Sequence, residues 1–373
     1  MKQDRTITER RVEVLKSILP HYSKEDLESI VKAVVDVPLF ENPSKVLQKP
    51  KIATFKPLHY PEFYEASVRQ NKVMWLPEEQ PMAEDLKDWQ SLPDNFKNII
   101  ISILRFFVQS DVEVRKGYYK FMSCFNYVEQ GMMMSSFQNI EGIHIGAYAH
   151  LIDSLNLPES EYIAFMKYKE MRDKYEYYES VEIENVRSLI KAMAIFALFT
   201  EGMQLFSSFA ILYFPSKCGY LKGLAQIISW SSRDEMFHYL NMTKLLRIVI
   251  KENKHLFDNT LREELREIAQ IMVKQEDCFI DLAMAGGDLV SPNPEKKEVL
   301  TAQNLHDFAR YNCDLRCMSI GLEPIYNIKE NPIPFMDEML SQEHTNFFEA
   351  EATDYSKSGT SGSWSDVDKF LDK

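Results

Sequence analysis

Two Glu-x-x-His motifs lie in apolar stretches of the sequence, Glu141/His144 in NIEGIHIGAY and Glu235/His238 in RDEMFHYL. Residues three apart share one face of a helix, so each pair can direct both side chains toward one metal ion. A carboxylate and an imidazole inside a core are costly unless they are paired or bound to a metal. These residues are therefore candidate metal ligands, and buried acid–histidine hydrogen-bonded pairs are the alternative.

A third copy of the motif, Glu252/His255, lies in the polar segment IKENKHLFDN. We predict that this copy lies at a solvated helix end, because its neighbours Lys251, Asn253 and Lys254 are polar. Glu-x-x-His alone is thus a weak signal, and the apolar setting of the other two copies distinguishes them.

An isolated acid precedes each of the two apolar motifs. Asp111 follows ISILRFFVQS, and Glu201 lies in IFALFTEGMQLF. A buried structural carboxylate is the alternative for Glu201, and a solvated face with Glu113 and Arg115 is the alternative for Asp111. The order acid, Glu-x-x-His, acid, Glu-x-x-His over four helices matches the ferritin-like di-metal carboxylate pattern. Carboxylate and imidazole ligands favour iron or manganese over metals that prefer thiolates.

Tyr148 follows the first motif, seven residues after Glu141 and four after His144. All three residues then lie on one helical face. A phenol beside a di-metal site in an apolar pocket could be oxidised to a radical. An ordinary core tyrosine is the alternative, since the chain has 18 tyrosines.

Long helices must position these side chains. Apolar residues recur at helical spacing over 99–107, and similar patterns predict helices over 130–154, 159–177, 186–213, 221–252, 262–285 and 302–321. The sequence has no sustained two-residue alternation and no strand–turn–strand signature. Glycine makes up only 12 of 373 residues, which argues against a fold with many tight turns. We therefore predict an all-α, ferritin-like helical bundle.

The sequence divides into four predicted segments. Residues 1–38 form an N-terminal helical extension, and residues 39–56 form a Pro- and Lys-rich linker arm. Residues 57–352 form the di-metal domain, and residues 353–373 form a flexible, Ser/Gly-rich and acidic tail. We expect apolar side chains near the end of the tail to dock in a groove of a partner protein, and folding back onto the chain itself is the alternative. These side chains are Trp364, Val367, Phe370 and Leu371.

Composition excludes several classes of function. Lys and Arg total 43 against 56 Asp and Glu, a net charge of -13, so no basic surface for nucleic acid is expected. The five cysteines form no CxxC pair, and the sequence shows no secretory signal, so we expect a cytoplasmic protein. We expect no membrane span, because the richest apolar stretch, 192–214, is interrupted by Glu201, Gln204 and Ser207.

Over roughly residues 55–355 and the tail, the sequence resembles the small, radical-generating subunit of class I ribonucleotide reductase. The motifs that carry the resemblance are MWLPEE at 74–79, EGIHIGAY at 141–148, TEGMQLFSSF at 200–209, RDEMFH at 233–238 and EATDYSKS at 351–358. The gaps of 34 residues from Glu201 to Glu235 and of 36 residues from Trp75 to Asp111 also agree with that family.

This resemblance implies a homodimer that works with a large catalytic subunit, which reduces ribonucleotides to deoxyribonucleotides for DNA replication. It implies two iron ions or two manganese ions per chain, and ligand types do not distinguish these metals. It implies that the metals activate oxygen, that Tyr148 stores the resulting radical, and that Trp75, Asp234 and Tyr355 relay electrons and protons toward the large subunit. The implied metal ligands are Asp111, Glu141, His144, Glu201, Glu235 and His238.

The sequence departs from the family pattern at two places in the site. The gap from Asp111 to Glu141 is 30 residues, one fewer than expected, so either the intervening loop is shorter or Glu113 competes as a ligand. Leu205, one turn after Glu201, stands where an aromatic wall residue is expected.

Two alternatives to the reductase subunit remain at this point. One is another ferritin-like di-metal oxidase or oxygenase, and the other is a non-enzymatic ferritin-like metal-binding protein. The joint presence of Trp75, Tyr148, Asp234 and Tyr355 favours the reductase subunit, because a storage protein needs no electron relay.

Overall fold

The computed structural model describes residues 43–341 other than 51, 159 and 162–166, together with residues 16, 23–25, 27 and 40. The side chains at 108, 109, 113, 175, 178 and 179 are not among those described. The described chain is almost entirely helical, as predicted. Its longer elements are α1 Pro61–Lys72, α2 Ala83–Ser91, α3 Asp94–Met122, α4 Val128–Ser154, α5 Lys169–Glu179, α6 Val186–Met193, a π-helix Ala194–Gln204, α7 Leu205–Lys217, α8 Lys222–Glu252, α9 Asn259–Ala283 and α10 Ala302–Ser319.

The predicted helix boundaries agree with the structure to within a few residues for α4, α8, α9 and α10. The helix predicted over 186–213 is divided in the structure into α6, the π-helix and α7. The prediction missed this division because apolar periodicity does not reveal a local change in helix type. The all-α fold is confirmed, with one short strand pair that the sequence did not reveal. Leu289–Val290 and Val299–Leu300 form a short antiparallel ladder, too brief for an alternation pattern to be visible.

The long helices pack side by side and enclose the middle of the bundle. Helix α3 lies along α4, α1 covers α4, and the π-helix and α7 pack against α8. Helix α10 closes the bundle over the π-helix. Helices α3, α4, the π-helix and α8 therefore converge on a shared interior, which is where the four predicted acid-bearing segments meet.

A cap from another helix fixes the start of α8. The Asp85 carboxylate accepts hydrogen bonds from the backbone N–H groups of Gly223 and Leu224, at 2.9 and 2.6 Å. N–H groups in the first turn of a helix have no acceptor within the helix itself, and the helix dipole also favours an anion at this end. A Cβ at position 223 would lie 2.9 Å from Met82 Sδ and 3.0 Å from Asp85 Oδ1, so a larger residue there would displace these side chains.

The third Glu-x-x-His copy lies at a helix end, as predicted, because α8 ends at Glu252, but only its histidine is exposed. Glu252 is half-buried and accepts hydrogen bonds from Val46 N at 2.8 Å and Tyr60 Oη at 3.2 Å. It thus holds part of the predicted arm, where Val46 and Leu47 are buried. His255 is exposed, whereas Glu252 contacts a segment 206 residues away in the sequence.

One helical run, Val186–Lys217, is long and apolar enough to cross a membrane. Its apolar window is 94% buried inside the protein. The run therefore has the character of a core helix of the bundle, and its apolar surface is covered by neighbouring helices.

Candidate metal centre

All six predicted ligands meet in the interior of the bundle. Helix α3 supplies Asp111, α4 supplies Glu141 and His144, the π-helix supplies Glu201, and α8 supplies Glu235 and His238. Each is at most 2% exposed. Their ligand atoms form two groups, within which all atoms lie within 4.8 Å of one another. The first group is Asp111, Glu141 and His144, and the second is Glu141, Glu201, Glu235 and His238.

The atoms in this cluster lie close together but are not aligned as hydrogen bonds. His238 Nδ1 is 2.9 Å from Glu141 Oε1, and His144 Nδ1 is 3.1 Å from Glu235 Oε1. Nevertheless these histidine nitrogens and both Glu141 oxygens have no hydrogen-bond partner in the described protein. Buried polar atoms are rarely left in this state. Carboxylate oxygens and imidazole nitrogens that lie close together without hydrogen bonds are the kind of donor atoms that bind a pair of metal ions.

The carboxylates and imidazoles of the cluster shift one another's pKa values. Burial raises the pKa values of Asp111 and Glu201 well above their usual range, and nearby carboxylates raise them further. Burial alone would lower the pKa of His238, but Glu141 and Glu235 raise it to about 10. Cations bound among these groups would stabilise the ionised carboxylates and leave the imidazoles neutral as ligands.

Tyr148 lies in an apolar pocket beside the first group. It is 1% exposed, and burial raises the pKa of its phenol well above the usual value, with Asp111 adding to the effect. Phe107 stacks on the Tyr148 ring at a centroid distance of 4.9 Å and also contacts Phe209. Leu205, where an aromatic wall residue was expected, is buried in the same apolar cluster as Phe107 and Phe209.

Asp234 connects Trp75 to the cluster. Trp75 Nε1 donates a hydrogen bond to Asp234 Oδ2 at 2.8 Å, and the same oxygen lies 3.4 Å from His144 Nε2. Gln70 and Arg233 donate to the other oxygen, at 3.2 and 2.9 Å. The Asp234 pKa is lowered despite burial, because the Arg233 guanidinium and these hydrogen bonds favour the carboxylate. Asp234 can therefore orient a ligand imidazole and the indole together.

Tyr118 was not singled out from the sequence, yet it donates a 2.6 Å hydrogen bond to Glu201 Oε1. Its side chain is fully buried, and its ring lies edge-on to His238 at 6.1 Å. The sequence did contain a signal. Tyr118 lies seven residues after Asp111 in α3, which puts the two side chains on one face.

Arg316 on α10 was also missed. It is 5% exposed, and its Nε donates a 2.6 Å hydrogen bond to the carbonyl oxygen of Gly202, next to Glu201 in the π-helix. Its guanidinium lies 4.0 Å from the Tyr239 ring centroid, an arrangement that favours a buried cation. No local sequence pattern indicates a contact between residues 114 positions apart.

A second tryptophan, Trp230, borders Trp75, the residue predicted to take part in the relay. The two ring centroids are 5.1 Å apart and the planes are inclined by 45°. Trp230 is half-buried at the edge of the apolar cluster that contains Trp75. The indole of Trp75 is therefore enclosed by Trp230 on one side and by His144, at 5.9 Å, on another.

Several predicted residues lie outside the described part of the chain. They are Tyr355 and the four docking residues Trp364, Val367, Phe370 and Leu371. The Glu113 side chain is likewise not described, so its competition with Asp111 stays a hypothesis. Asp111 itself has a place in the first ligand group.

Comparison with known proteins identifies the family of this chain. The sequence model of the family "Ribonucleotide reductase, small chain" matches residues 52–332. A probable ribonucleoside-diphosphate reductase small subunit of Invertebrate iridescent virus 6 is 36% identical over 346 residues, covering 84% of this chain and 96% of the viral protein.

Two solved structures share the fold. The ribonucleotide reductase R2 subunit from Clostridium botulinum superposes with a TM-score of 0.70 at 19% identity, covering 81% of this chain and 96% of that one. The dimanganese(II) NrdF of Streptococcus sanguinis gives a TM-score of 0.67 at 15% identity, covering 78% and 99%. The chain belongs to the ribonucleotide reductase small-chain family, and it is the small subunit of an oxidoreductase.

Proposed function

We propose that Asp111, Glu141, His144, Glu201, Glu235 and His238 bind two metal ions that activate oxygen. The observation that carries this proposal is the membership of Glu141 in both ligand groups, which suits a carboxylate that bridges two cations. Glu235 would also serve both ions, because its Oε1 lies 3.1 Å from His144 Nδ1 of the first group while Glu235 itself belongs to the second.

The role proposed for Tyr148 is to hold the radical that the metal pair generates. The bound metals would supply the oxidising power, and the chain supplies a phenol that burial keeps protonated and dry. The stacked Phe107 ring limits access of water and small reductants to the phenol. Exclusion of competing reactions is what a stored radical requires.

Trp75 and Asp234 are proposed to begin the relay to a large catalytic subunit. Their 2.8 Å hydrogen bond and the approach of Asp234 to His144 link the indole to the proposed metal centre. Tyr355 would continue the relay, and docking of the tail through Trp364, Val367, Phe370 and Leu371 would place it between the subunits. The reaction served is the reduction of ribonucleotides, carried out by a homodimer of this chain with its partner.

Both iron and manganese remain in the proposal. The donor set is oxygen and nitrogen only, which suits either ion. The structurally similar Streptococcus sanguinis protein is a dimanganese(II) form. A cytoplasmic location is proposed because all five cysteines are free, which fits a reducing compartment.

Reductase assays with a class I large subunit test the proposal as a whole. The metal-loaded protein should support deoxyribonucleotide formation, and Trp75→Phe should abolish it while leaving the metal content unchanged. Trp89→Phe is the matched control, since Trp89 is also buried but lies in α2, and the hydrogen bonds described for Asp234 come from other residues. Full activity of Trp75→Phe would contradict the proposed relay.

A further inference from the structure

A second phenol, besides Tyr148, lies against the proposed metal centre. Tyr118 is fully buried, and its hydroxyl donates to Glu201 Oε1 at 2.6 Å. Glu201 belongs to the second ligand group, whereas Tyr148 is next to Asp111 of the first group. Tyr118 therefore lies beside the second ligand group, and Tyr148 lies beside the first.

The surroundings of Tyr118 are aromatic and closed to water. Phe196 contacts its ring edge-on at 4.9 Å, Phe137 does so at 6.0 Å, and His238 at 6.1 Å. Phe196 and Phe137 are fully buried. A phenol in this setting is not needed for packing alone, because phenylalanine would fill the ring site, and the hydroxyl is what makes the contact with Glu201.

We infer that Tyr118 is a second, short-lived electron donor to the metal centre, and that Glu201 accepts its phenolic proton. This inference rests on the proposed function. In the step, Tyr118 would give one electron to the bound metals, which oxygen would have oxidised, and one proton to Glu201 Oε1, and this would leave a neutral tyrosyl radical.

The hydrogen bond explains why the radical on Tyr118 should be brief. Proton and electron return by the same short path, since the acceptor Glu201 is hydrogen-bonded to the phenol and belongs to the ligand group. Tyr148 stores the radical after longer times, and Tyr118 donates during oxidation of the metals.

Rapid freeze-quench electron paramagnetic resonance tests the inference on full-length protein loaded with ferrous iron and mixed with oxygen. Tyr148→Phe, which leaves Tyr118 and Glu201 untouched, should show a transient tyrosyl signal whose splitting changes when the tyrosines are ring-deuterated. Tyr118→Phe/Tyr148→Phe should lose that signal. Tyr119→Phe/Tyr148→Phe should keep it, because the neighbouring Tyr119 is 60% exposed.

Absence of any tyrosyl signal in Tyr148→Phe, at all quench times, would overturn the inference and leave Tyr118 as a residue that only positions Glu201. An unchanged transient in the Tyr118→Phe double variant, at equal metal content, would do the same. If the wild-type protein itself forms no tyrosyl radical, the proposed function fails. A stable wild-type signal with no transient in Tyr148→Phe overturns only the role of Tyr118.

Discussion

Arg316 Nε donates a 2.6 Å hydrogen bond to the carbonyl oxygen of Gly202 and so links α10 to the π-helix that carries Glu201. Within this π-helix, Thr200 Oγ1 bonds to the carbonyl oxygen of Ile195, five residues earlier. π-Helical turns are uncommon and concentrate at functional sites. The contact therefore holds an irregular segment in place next to a proposed metal ligand.

Replacing Gly202 by alanine should displace this segment. The added Cβ would lie 2.8 Å from Tyr239 Cδ2 and 3.0 Å from Arg316 Nε, so we expect a loss of about 1–3 kcal/mol in the free energy of unfolding. Metal content per chain should fall, because Glu201 would move with its neighbour. Denaturant unfolding and metal analysis measure the two effects.

Gly142→Ala is the matched control for this substitution. Gly142 follows Glu141 as Gly202 follows Glu201, but a Cβ there meets nothing within 4 Å. Alanine in an open helical position should leave metal content unchanged and be neutral or stabilising. If both variants showed the same stability and metal content, close packing would not be the reason for a glycine at position 202.

The proposed metal site predicts that metal content depends on both Glu141 and Glu235. Glu141→Ala or Glu235→Ala should reduce metal content well below two ions per chain, while the large core keeps the protein helical. Glu252→Ala should keep its metals, since Glu252 bonds to Val46 and Tyr60 instead. Metal analysis with circular dichroism decides, and loss of metal in Glu252→Ala would be contrary to this assignment.

Removing the metals from wild-type protein should lower its melting temperature. Chelation would leave buried carboxylates, among them Asp111 and Glu201, without the cations that stabilise their ionised forms. Calorimetry with and without a chelator measures the difference. Variants that bind no metal should already melt at the lower temperature, and a chelator effect of equal size in them would indicate another cause.

A buried ion pair, Lys174 with Glu276, predicts a large stability effect away from the metal centre. Lys174 Nζ lies 2.7 Å from Glu276 Oε2, and the two side chains are 4% and 0% exposed. Glu276→Gln should cost about 3–5 kcal/mol in the free energy of unfolding, because it leaves an unpaired buried ammonium. Glu84→Gln, in an exposed pair with Lys87, should have no measurable effect.

The tail predicts a competition experiment. A peptide of residues 360–373 should compete with the whole protein for the large subunit, and a peptide with Trp364 and Phe370 replaced by alanine should not. Deleting these residues should abolish reductase activity while leaving the metals and the Tyr148 radical intact. Unchanged affinity of the truncated protein for the large subunit would refute docking through the tail.

The sequence predicted the parts of the site that repeat at helical spacing. Glu141/His144 and Glu235/His238 were recognisable because a helix makes residues three apart neighbours. The position of Tyr118, two turns after Asp111, follows the same rule and could have been found. The change from α- to π-helix before Glu201 could not, because apolar residues surround it on every face.

Contacts between distant segments were beyond sequence reasoning. Arg316 reaches Gly202 across 114 positions, and Lys174 reaches Glu276 across 102. Each contact depends on how whole helices pack, which no local pattern encodes. The contact of Glu252 with Val46 has the same origin, since the two residues are 206 positions apart.

Electron paramagnetic resonance tests the proposed metal centre and the Tyr148 radical most directly. The protein is loaded separately with iron and manganese, its metal is counted, and it is exposed to oxygen or to an activated oxygen species. We predict two metal ions per chain and, with at least one metal, a stable tyrosyl signal that Tyr148→Phe loses while retaining both ions. Binding of one ion or none, or a stable tyrosyl signal that persists unchanged in Tyr148→Phe, would contradict the central claim.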